Sequence, residues 1–134
     1  MRTLPQATGP LENALRVLLN RQLASSRVPD YLAWVCMNLA AHASSRRTLE
    51  AQLEQETKCE PEQAAATVDG LIALGLLDDD AHPAPEGKRE LASTRQRVSA
   101  VTDQVVAGLS EADLATTIDV LDHARERAES ILHT

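Results

Sequence analysis

The chain has 134 residues, which fits one domain of ordinary size. Hydrophobic residues make up 43% and charged residues 25%, which excludes both a disordered tail and a membrane protein, and the longest apolar runs are far shorter than the ~20 residues of a membrane span. The formal net charge of −7 argues against general affinity for nucleic acid. With no Phe, one Trp and one Tyr, the composition favours helices over sheets. We therefore expect a soluble, cytoplasmic, mainly α-helical protein.

Two helices are expected in the first third of the chain. Apolar residues recur at helical spacing from Leu11 to Ala24, after a segment broken by Pro5, Gly9 and Pro10. Asp30 is placed as the N-cap of a second helix that runs to about Ala43. This second helix is apolar on most sides, so we expect it to be central.

The middle of the chain has the pattern of a helix-turn-helix. A short helix is expected from about Thr48 to Glu56, a turn from Lys58 to Pro61, and a second helix from Pro61 to about Leu74. Gly75 follows as the residue that ends this helix, and Leu76 and Leu77 then begin a short strand that acids interrupt. Two short helices before a Gly-Leu-Leu strand are typical of a winged helix-turn-helix, whose second helix enters a major groove.

The last third predicts two long helices. One runs from about Pro85 or Glu86 to Ala107 and ends at Gly108, and Ser110 and Asp113 form a capping pattern for the other. Long helices at both ends carry more apolar surface than a small winged domain buries, so we expect them to pair with a second copy. The predicted dimer interface consists of Leu11, Leu15, Leu91, Val98, Val105, Ile118 and Leu121.

Three segments resemble the MarR-type winged-helix transcriptional regulators. The run Val68-Asp69-Gly70-Leu71-Ile72-Ala73-Leu74-Gly75-Leu76-Leu77 is similar to that family's recognition helix and first wing strand. The run Ala84-Pro85-Glu86-Gly87-Lys88-Arg89-Glu90-Leu91 is similar to its Leu-Thr-Pro-Glu-Gly turn into a long helix, and Leu109-Ser110-Glu111 to the start of its last helix. The resemblance implies a homodimer that binds an operator and answers a small aromatic ligand or an oxidant.

The chain departs from the family pattern in the wing and the recognition helix. Only Asp78 to Ala84 separate the first wing strand from the Pro-Glu-Gly turn, and this segment lacks the Arg of the family's basic wing tip. Residues 51–80 carry Lys58 against eight acids, a sum of −7. A DNA-binding segment with this charge is repelled by the phosphates of a duplex.

Candidate DNA contacts are the few basic and polar residues around the two short helices: Arg46, Arg47, Lys58, Gln63 and Thr67. The alternative for all five is a solvated surface. The three consecutive acids Asp78, Asp79 and Asp80 are either a cation or partner site or a solvated turn, and we favour the turn because a Ca²⁺ site needs spaced oxygen ligands.

A ligand pocket is the corresponding expectation for residues on or beside the second helix: Tyr31, Trp34, Cys36 and His42. The alternative is that the two aromatic residues are simply the bulky core residues available. Cys36 is suited to redox sensing only if its thiol is exposed, and we favour a buried thiol. Asp119, His123 and Glu126 share a helical face, but ordinary surface residues are favoured over a metal site there. We expect no metal and no cofactor.

The sequence holds no catalytic motif, so we expect no enzyme. The first hypothesis is a dimeric winged-helix regulator of duplex DNA, formed by a single domain of residues 1–134. In it, residues 44–85 form the winged helix-turn-helix with a very short β-wing, and residues 11–43 and 86–132 form the dimerisation and supporting helices. The second is a dimeric interaction protein on the same scaffold that binds a basic protein partner through its acidic face. A third is a small-molecule carrier that uses the Trp34 region.

Overall fold

The structure, a computed structural model, describes residues 1–134 as six helices and one isolated β-bridge. The helices are α1 (Leu4–Leu23), α2 (Tyr31–Ala40), α3 (Arg46–Thr57), α4 (Pro61–Ala73), α5 (Pro85–Val106) and α6 (Glu111–Leu132). The chain divides into two compact units, Met1–Val101 and Thr102–Thr134. The mainly α fold with a very short wing is confirmed. No helix combines the length and the apolar character that a membrane span requires.

Helix α1 begins at Leu4, well before the predicted start at Leu11. The Thr3 N–H donates to the Gln6 side-chain oxygen at 2.8 Å, and the Gln6 N–H donates to the Thr3 hydroxyl at 3.4 Å, which forms a capping box. Pro5 lies in the first turn, where its missing N–H costs no helical hydrogen bond. Pro10 lies inside the helix and removes one such bond on an exposed face. The capping signal outweighs this single interruption.

Helices α2 and α3 are bounded by local hydrogen bonds that the predicted limits missed. Helix α2 ends at Ala40, and in the turn that follows the N–H groups of His42 and Ala43 both donate to the Leu39 carbonyl at 3.0 Å. Helix α3 begins at Arg46, because the Ser45 hydroxyl accepts the Thr48 N–H at 3.1 Å and caps the helix there.

The core of the first unit is made by helices α2, α3 and α4, which pack on one another, with α1 packed on α2. The largest buried side chains include Met37, Leu49, Leu53, Leu71 and Leu76, each no more than 1% exposed. Burial of such side chains is worth about 1.5–3 kcal/mol each relative to exposure. This core fixes the angle between α3 and α4, the two helices of the helix-turn-helix.

The wing is a single antiparallel bridge between Leu77 and Pro83. The Asp78 N–H donates to the His82 carbonyl at 2.8 Å, and the Asp78 carboxylate accepts the N–H groups of Asp80 and His82 at 2.9 and 3.0 Å. The acidic segment is therefore a tight turn that Asp78 stabilises through its own side chain.

Helix α5 approaches Leu76, just before the wing, at Gly87, which is buried. A Cβ atom on Gly87 would lie 1.9 Å from the carbonyl oxygen of Leu76. Only glycine allows this contact. Two other glycines, Gly75 and Gly108, have φ of 76° and 82° and follow the ends of α4 and α5 as predicted.

The second unit, Thr102–Thr134, contains the end of α5 and all of α6. The Ser110 hydroxyl accepts the Asp113 N–H at 3.0 Å, so the predicted cap of α6 is confirmed. No residue of α6 is buried. Its exposed apolar side chains include Ile118 (56%), Val120 (54%) and Ile131 (72%).

Candidate nucleic-acid interface and ligand clefts

Helix α4 presents one face to the core and the other to solvent. Its buried residues are Ala64, Val68 and Leu71. The opposite face exposes Glu62, Gln63, Ala66, Asp69 and Gly70. A face of this kind, carried on a helix-turn-helix, has the shape needed to enter a major groove, but it carries two acids and no base.

Arg46, which is partly exposed, pairs with two carboxylates. Its Nε lies 2.7 Å from Glu50 of the same helix, and one Nη lies 2.7 Å from Asp69 of α4. The hydrogen bonds to Glu50 and then to Asp69 raise the pKa of the Arg46 guanidinium. The predicted phosphate contact is therefore engaged in a clamp between α3 and α4.

Arg47 and Lys58 are the other predicted phosphate contacts, and both are exposed. The guanidinium of Arg47 has no hydrogen bond or ion pair within the chain. Lys58 adopts a left-handed φ of 58° where α3 ends, and its Nζ donates to the Gln55 carbonyl at 2.7 Å. Among the three predicted basic contacts, Arg47 is thus the one without an internal partner.

The predicted base readers Gln63 and Thr67 lie one turn apart on α4. The Gln63 side-chain oxygen accepts the Glu60 N–H at 3.0 Å and so caps the helix. The Thr67 hydroxyl donates to the Gln63 carbonyl at 2.8 Å. These bonds use the side-chain oxygen of Gln63 and the hydroxyl proton of Thr67. The groups left for bases are therefore the side-chain N–H₂ of Gln63 and the lone pairs of the Thr67 hydroxyl oxygen.

The predicted pocket residues do not share one cavity. Cys36 is fully buried in the core, and Trp34 is half-buried against it. Tyr31 and His42 line two separate clefts. The alternative of core packing for the two aromatic residues therefore describes Trp34, whereas Tyr31 lines a cleft.

Burial changes the chemistry of the Cys36 thiol. Desolvation, followed by the negative charge of Glu50, raises the pKa of Cys36 to about 12. A thiol with this pKa is protonated at neutral pH and is a poor nucleophile. The expectation of a buried thiol at this position is met.

The cleft at Tyr31 has a volume of about 560 Å³ and joins α1, α2 and the turn of the helix-turn-helix. The guanidinium carbon of Arg16 lies 4.2 Å from the centre of the Tyr31 ring, a cation–π contact, and Arg16 also pairs with Glu12 at 2.6 Å. Lys58, Cys59 and Gln63 form the other side of the cleft.

A second cleft, which we call the basic cleft, has a volume of about 490 Å³. It lies between the end of α2, the wing and α5. Its lining consists of Ala40, Ala41, His42, Ala43, His82, Pro83, Lys88, Leu91, Ala92 and Arg95. Sequence reasoning placed only His42 in a pocket and missed the others, because three distant segments supply them.

The residues predicted for the dimer interface fall into three groups. Leu91 is 4% exposed and belongs to the core of its own unit, which corrects its assignment to the interface. The seven-residue spacing misled here because the first turns of α5 already face the winged core. Leu11, Val105, Ile118 and Leu121 are exposed, by 50%, 40%, 56% and 37%, and Leu15 and Val98 are half-buried.

No three His, Cys, Asp or Glu side chains are grouped so as to hold a metal ion.

No protein-family profile matches the sequence, and no curated protein matches it. Solved structures do match. The transcriptional regulator PA3341 has a TM-score of 0.76 and 22% identity, over 96% of this chain and 99% of that one. CouR from Rhodococcus jostii RHA1, bound to p-coumaroyl-CoA, has a TM-score of 0.70 and 20% identity, over 84% and 85%. The Mycobacterium tuberculosis MarR family protein RV2887, in complex with salicylic acid, has a TM-score of 0.71 and 16% identity, over 92% and 98%.

These likenesses extend over most of both chains in each pair, so they concern the whole helical arrangement rather than the helix-turn-helix alone. The helix order and the short wing agree with the resemblance given by the sequence. The chain has the fold of the MarR-family transcriptional regulators.

Proposed function

We propose that the protein is a homodimeric transcriptional regulator that binds duplex DNA through α4 and answers a small-molecule effector. The observation that carries the proposal is a helix-turn-helix with an exposed face on α4, within a fold shared with solved transcriptional regulators. In this proposal the two compact units work as one regulatory domain. This role places the protein in the cytoplasm with its operator.

The proposed contacts divide into phosphate and base groups. Arg47 and Lys58 are exposed beside the helix-turn-helix and are assigned to phosphates. Gln63 and Thr67 are assigned to base edges through the Gln63 amide N–H₂ and the Thr67 oxygen. Arg46 joins the phosphate contacts when its pairing with Asp69 opens.

The proposed dimer rests on apolar surface that a single chain leaves exposed. Helix α6 buries none of its residues, although it carries Ile118, Leu121 and Ile131. Exposed apolar surface of this extent on one helix is typical of an association site. A second copy supplies a symmetric cover, and a twofold pair of α4 helices suits an operator with two half-sites.

The proposed effector is supported by two of the similar structures, which contain p-coumaroyl-CoA and salicylic acid. Both are aromatic molecules with an acidic group. The clefts of about 490 and 560 Å³ have the volume of small-molecule sites. Binding of such a molecule to the subunit is assigned to regulation, since no catalytic set is present.

Fluorescence anisotropy with duplexes from the gene's own upstream region tests the proposal at 50 and 200 mM salt. We expect binding that is tighter than to an unrelated duplex and that weakens with salt, with a slope of about −0.9 per phosphate contacted. A matched pair of variants is Arg47→Gln, which loses a proposed contact, and Arg21→Gln, an exposed arginine of α1 outside the helix-turn-helix. Equal loss of affinity in both variants, or no binding at 50 mM salt, contradicts the proposal.

A second candidate is favoured by the negative charge of residues 51–80. Residues 51–80 carry eight acids against Lys58, and Arg46 is neutralised by Glu50 and Asp69. In this alternative the same scaffold has no DNA target and binds a basic protein segment through its acidic face. Absence of DNA binding, together with salt-sensitive binding of a lysine-rich peptide that Glu62→Lys abolishes, supports this candidate over the first.

A further inference from the structure

The start of α2 and the C-terminal half of α4 border a groove of about 260 Å³, which we call the α2–α4 groove. Ala33 and Leu71 form its floor and are each 1% exposed. Its walls are formed by Pro29, Asp30, Ala66, Thr67, Gly70 and Leu74. Leu74 is 40% exposed although its side chain is large and apolar. The groove is therefore a mainly apolar surface that the chain leaves open to solvent.

The size of this groove suits a side chain of a larger partner. Sites for small organic molecules typically measure about 300–1,000 Å³, and the two clefts described above measure about 490 and 560 Å³. The α2–α4 groove is smaller than all of these. Anchor side chains at protein interfaces fill small pockets of this kind, so a protein segment fits the groove better than a free ligand does.

Gly70 gives separate support for a partner that comes close to α4. A glycine inside a helix destabilises the helix relative to alanine. Gly70 has no positive φ, and a Cβ atom there would have no neighbour within 4 Å, so no contact within the chain requires a glycine. Ala66, one turn earlier, is small and exposed as well. The two positions leave the backbone of α4 accessible to a second helix.

The charge around the groove is negative, since Asp30 lines it and no Lys or Arg does so. One oxygen of the Asp30 carboxylate caps α2 at 2.9 Å, and the other makes no hydrogen bond within the chain. Glu62, on the exposed face of α4, has no ion pair or hydrogen bond within the chain. Arg27 donates to the Leu74 carbonyl, but Glu86 balances its charge. This potential attracts a basic protein segment and repels the phosphates of a duplex.

We infer that the α2–α4 groove binds an amphipathic, basic helix of a partner protein. A leucine of this helix, or a side chain of similar size, lies between Leu71 and Leu74. Lysines or arginines on the neighbouring turns pair with Asp30 and Glu62. Gly70 lets the two helices come close together. Binding of a helix in a groove uses apolar anchors three or four positions apart, which sets the spacing of the partner.

Such a partner differs from the general basic segment of the second candidate function, because it needs an apolar anchor and one defined groove. It also suits a chain that binds DNA. Thr67, a proposed base contact, lines the groove, so a bound partner covers part of the DNA surface of α4 and competes with the operator. This competition rests on the proposed function, whereas binding in the groove does not.

Fluorescence anisotropy of a labelled synthetic helix, titrated with the full-length protein, tests the site. In the probe peptide, leucines recur every three or four positions among lysines. One control peptide has serines in place of the leucines, and the other has glutamates in place of the lysines. We expect saturable binding of the probe and at least tenfold weaker binding of each control. Equal binding of the serine peptide reduces the attraction to charge alone and overturns the inference, although the second candidate function then stands.

The variant Gly70→Leu should weaken probe binding at least tenfold, because its side chain occupies the groove. Gly9→Leu is the matched control, since Gly9 is an exposed glycine inside α1 at which a Cβ atom also has no neighbour within 4 Å. Both changes introduce a better helix former, and a thermal unfolding curve verifies that each variant is folded. Equal weakening in the two variants, or none in Gly70→Leu, overturns the inference.

The variants Asp30→Asn and Glu62→Gln should each weaken probe binding about threefold, because each removes one exposed ion pair with a lysine. Asparagine still caps a helix, so only the charge is lost at Asp30. Asp119→Asn is the control, since Asp119 is an exposed acid of α6. A loss of the same size in all three variants overturns the assignment of the two acids.

A second copy of the chain is the other occupant of an open apolar groove, and sedimentation velocity separates it from a foreign helix. If Gly70→Leu changes the oligomeric state and Gly9→Leu does not, the groove is a contact between copies and the inference fails. If the probe binds as expected and no duplex binds at 50 mM salt, the groove stands and the first candidate function fails. If a duplex binds and the probe does not, the reverse holds.

Discussion

The guanidinium of Arg46 lies 2.7 Å from the carboxylate of Asp69, and this ion pair joins the start of α3 to the outer face of α4. The two residues are 23 positions apart, so the contact exists only when α3 and α4 are folded against each other. An exposed pair of this kind contributes about 0.2–1 kcal/mol to stability. The pair also matters for DNA binding, because Asp69, which lies on the proposed DNA surface, binds the Arg46 guanidinium that a phosphate would otherwise contact.

The substitution Asp69→Asn should therefore strengthen DNA binding. It removes a negative charge from α4 and frees one Nη of Arg46 for a phosphate. We expect about a tenfold gain in affinity at 50 mM salt and a salt slope steeper by about 0.9. The control is Glu62→Gln, which removes the same charge from the same exposed face without touching Arg46. Equal gains in the two variants would show that only net charge matters.

The substitution Gly87→Ala should destabilise the first unit. Its Cβ would lie 1.9 Å from the Leu76 carbonyl oxygen, so α5 or the wing strand has to shift. We expect a loss of about 1–3 kcal/mol in the free energy of unfolding, measured by urea denaturation. Gly70→Ala is the matched control, because nothing lies within 4 Å of a Cβ there. That change should stabilise α4 by up to about 1 kcal/mol. A neutral Gly87→Ala would contradict the close packing.

The substitution Ile118→Asp should dissociate the proposed dimer. The residue is 56% exposed in a single chain, and burial of a carboxylate in an interface costs more than an apolar contact returns. Sedimentation velocity should show a dimer for the unaltered protein and a monomer for the variant. Ala112→Asp, an exposed position on the face of α6 that carries Asp119 and His123, should leave the dimer intact. A dimer that persists in Ile118→Asp would place the interface elsewhere.

The two cysteines should differ in reactivity towards iodoacetamide. Cys36 is fully buried and its pKa is raised to about 12 by desolvation, whereas Cys59 is half-buried. At pH 8 we expect alkylation of Cys59 in the native protein, and of Cys36 only through unfolding. Peptide mass spectrometry assigns the sites, and the protein in 6 M guanidinium serves as the control in which both react. Rapid native alkylation of Cys36 would contradict its burial.

Most of the helical fold follows from local signals. Gly75, Gly108 and Ser110 carry the torsion or hydroxyl that ends or begins a helix, and these boundaries are confirmed. The predicted start of α1 at Leu11 is wrong, because the capping box of Thr3 and Gln6 begins the helix at Leu4 and Pro10 does not end it.

The site was harder to predict, because its decisive contacts are not local in sequence. The clamp on Arg46 depends on Asp69, and the basic cleft is lined by residues from 40–43, 82–83 and 88–95. Helical periodicity placed Leu91 on the same face as Val105, although Leu91 is 4% exposed and Val105 is 40% exposed. No spacing rule distinguishes these two environments along one helix.

The contact between Gly87 and Leu76 also has a consequence for protein engineering. A longer, lysine-rich hairpin grafted between Asp79 and Asp80 would leave this joint untouched, because the insertion point lies beyond the bridge of Leu77 and Pro83. A graft that replaced the base of the hairpin would instead have to keep the Leu76 carbonyl at its position against Gly87, where only a residue without a Cβ atom leaves room for it. The tip of the wing is thus open to redesign, whereas its base is fixed by the helix behind it.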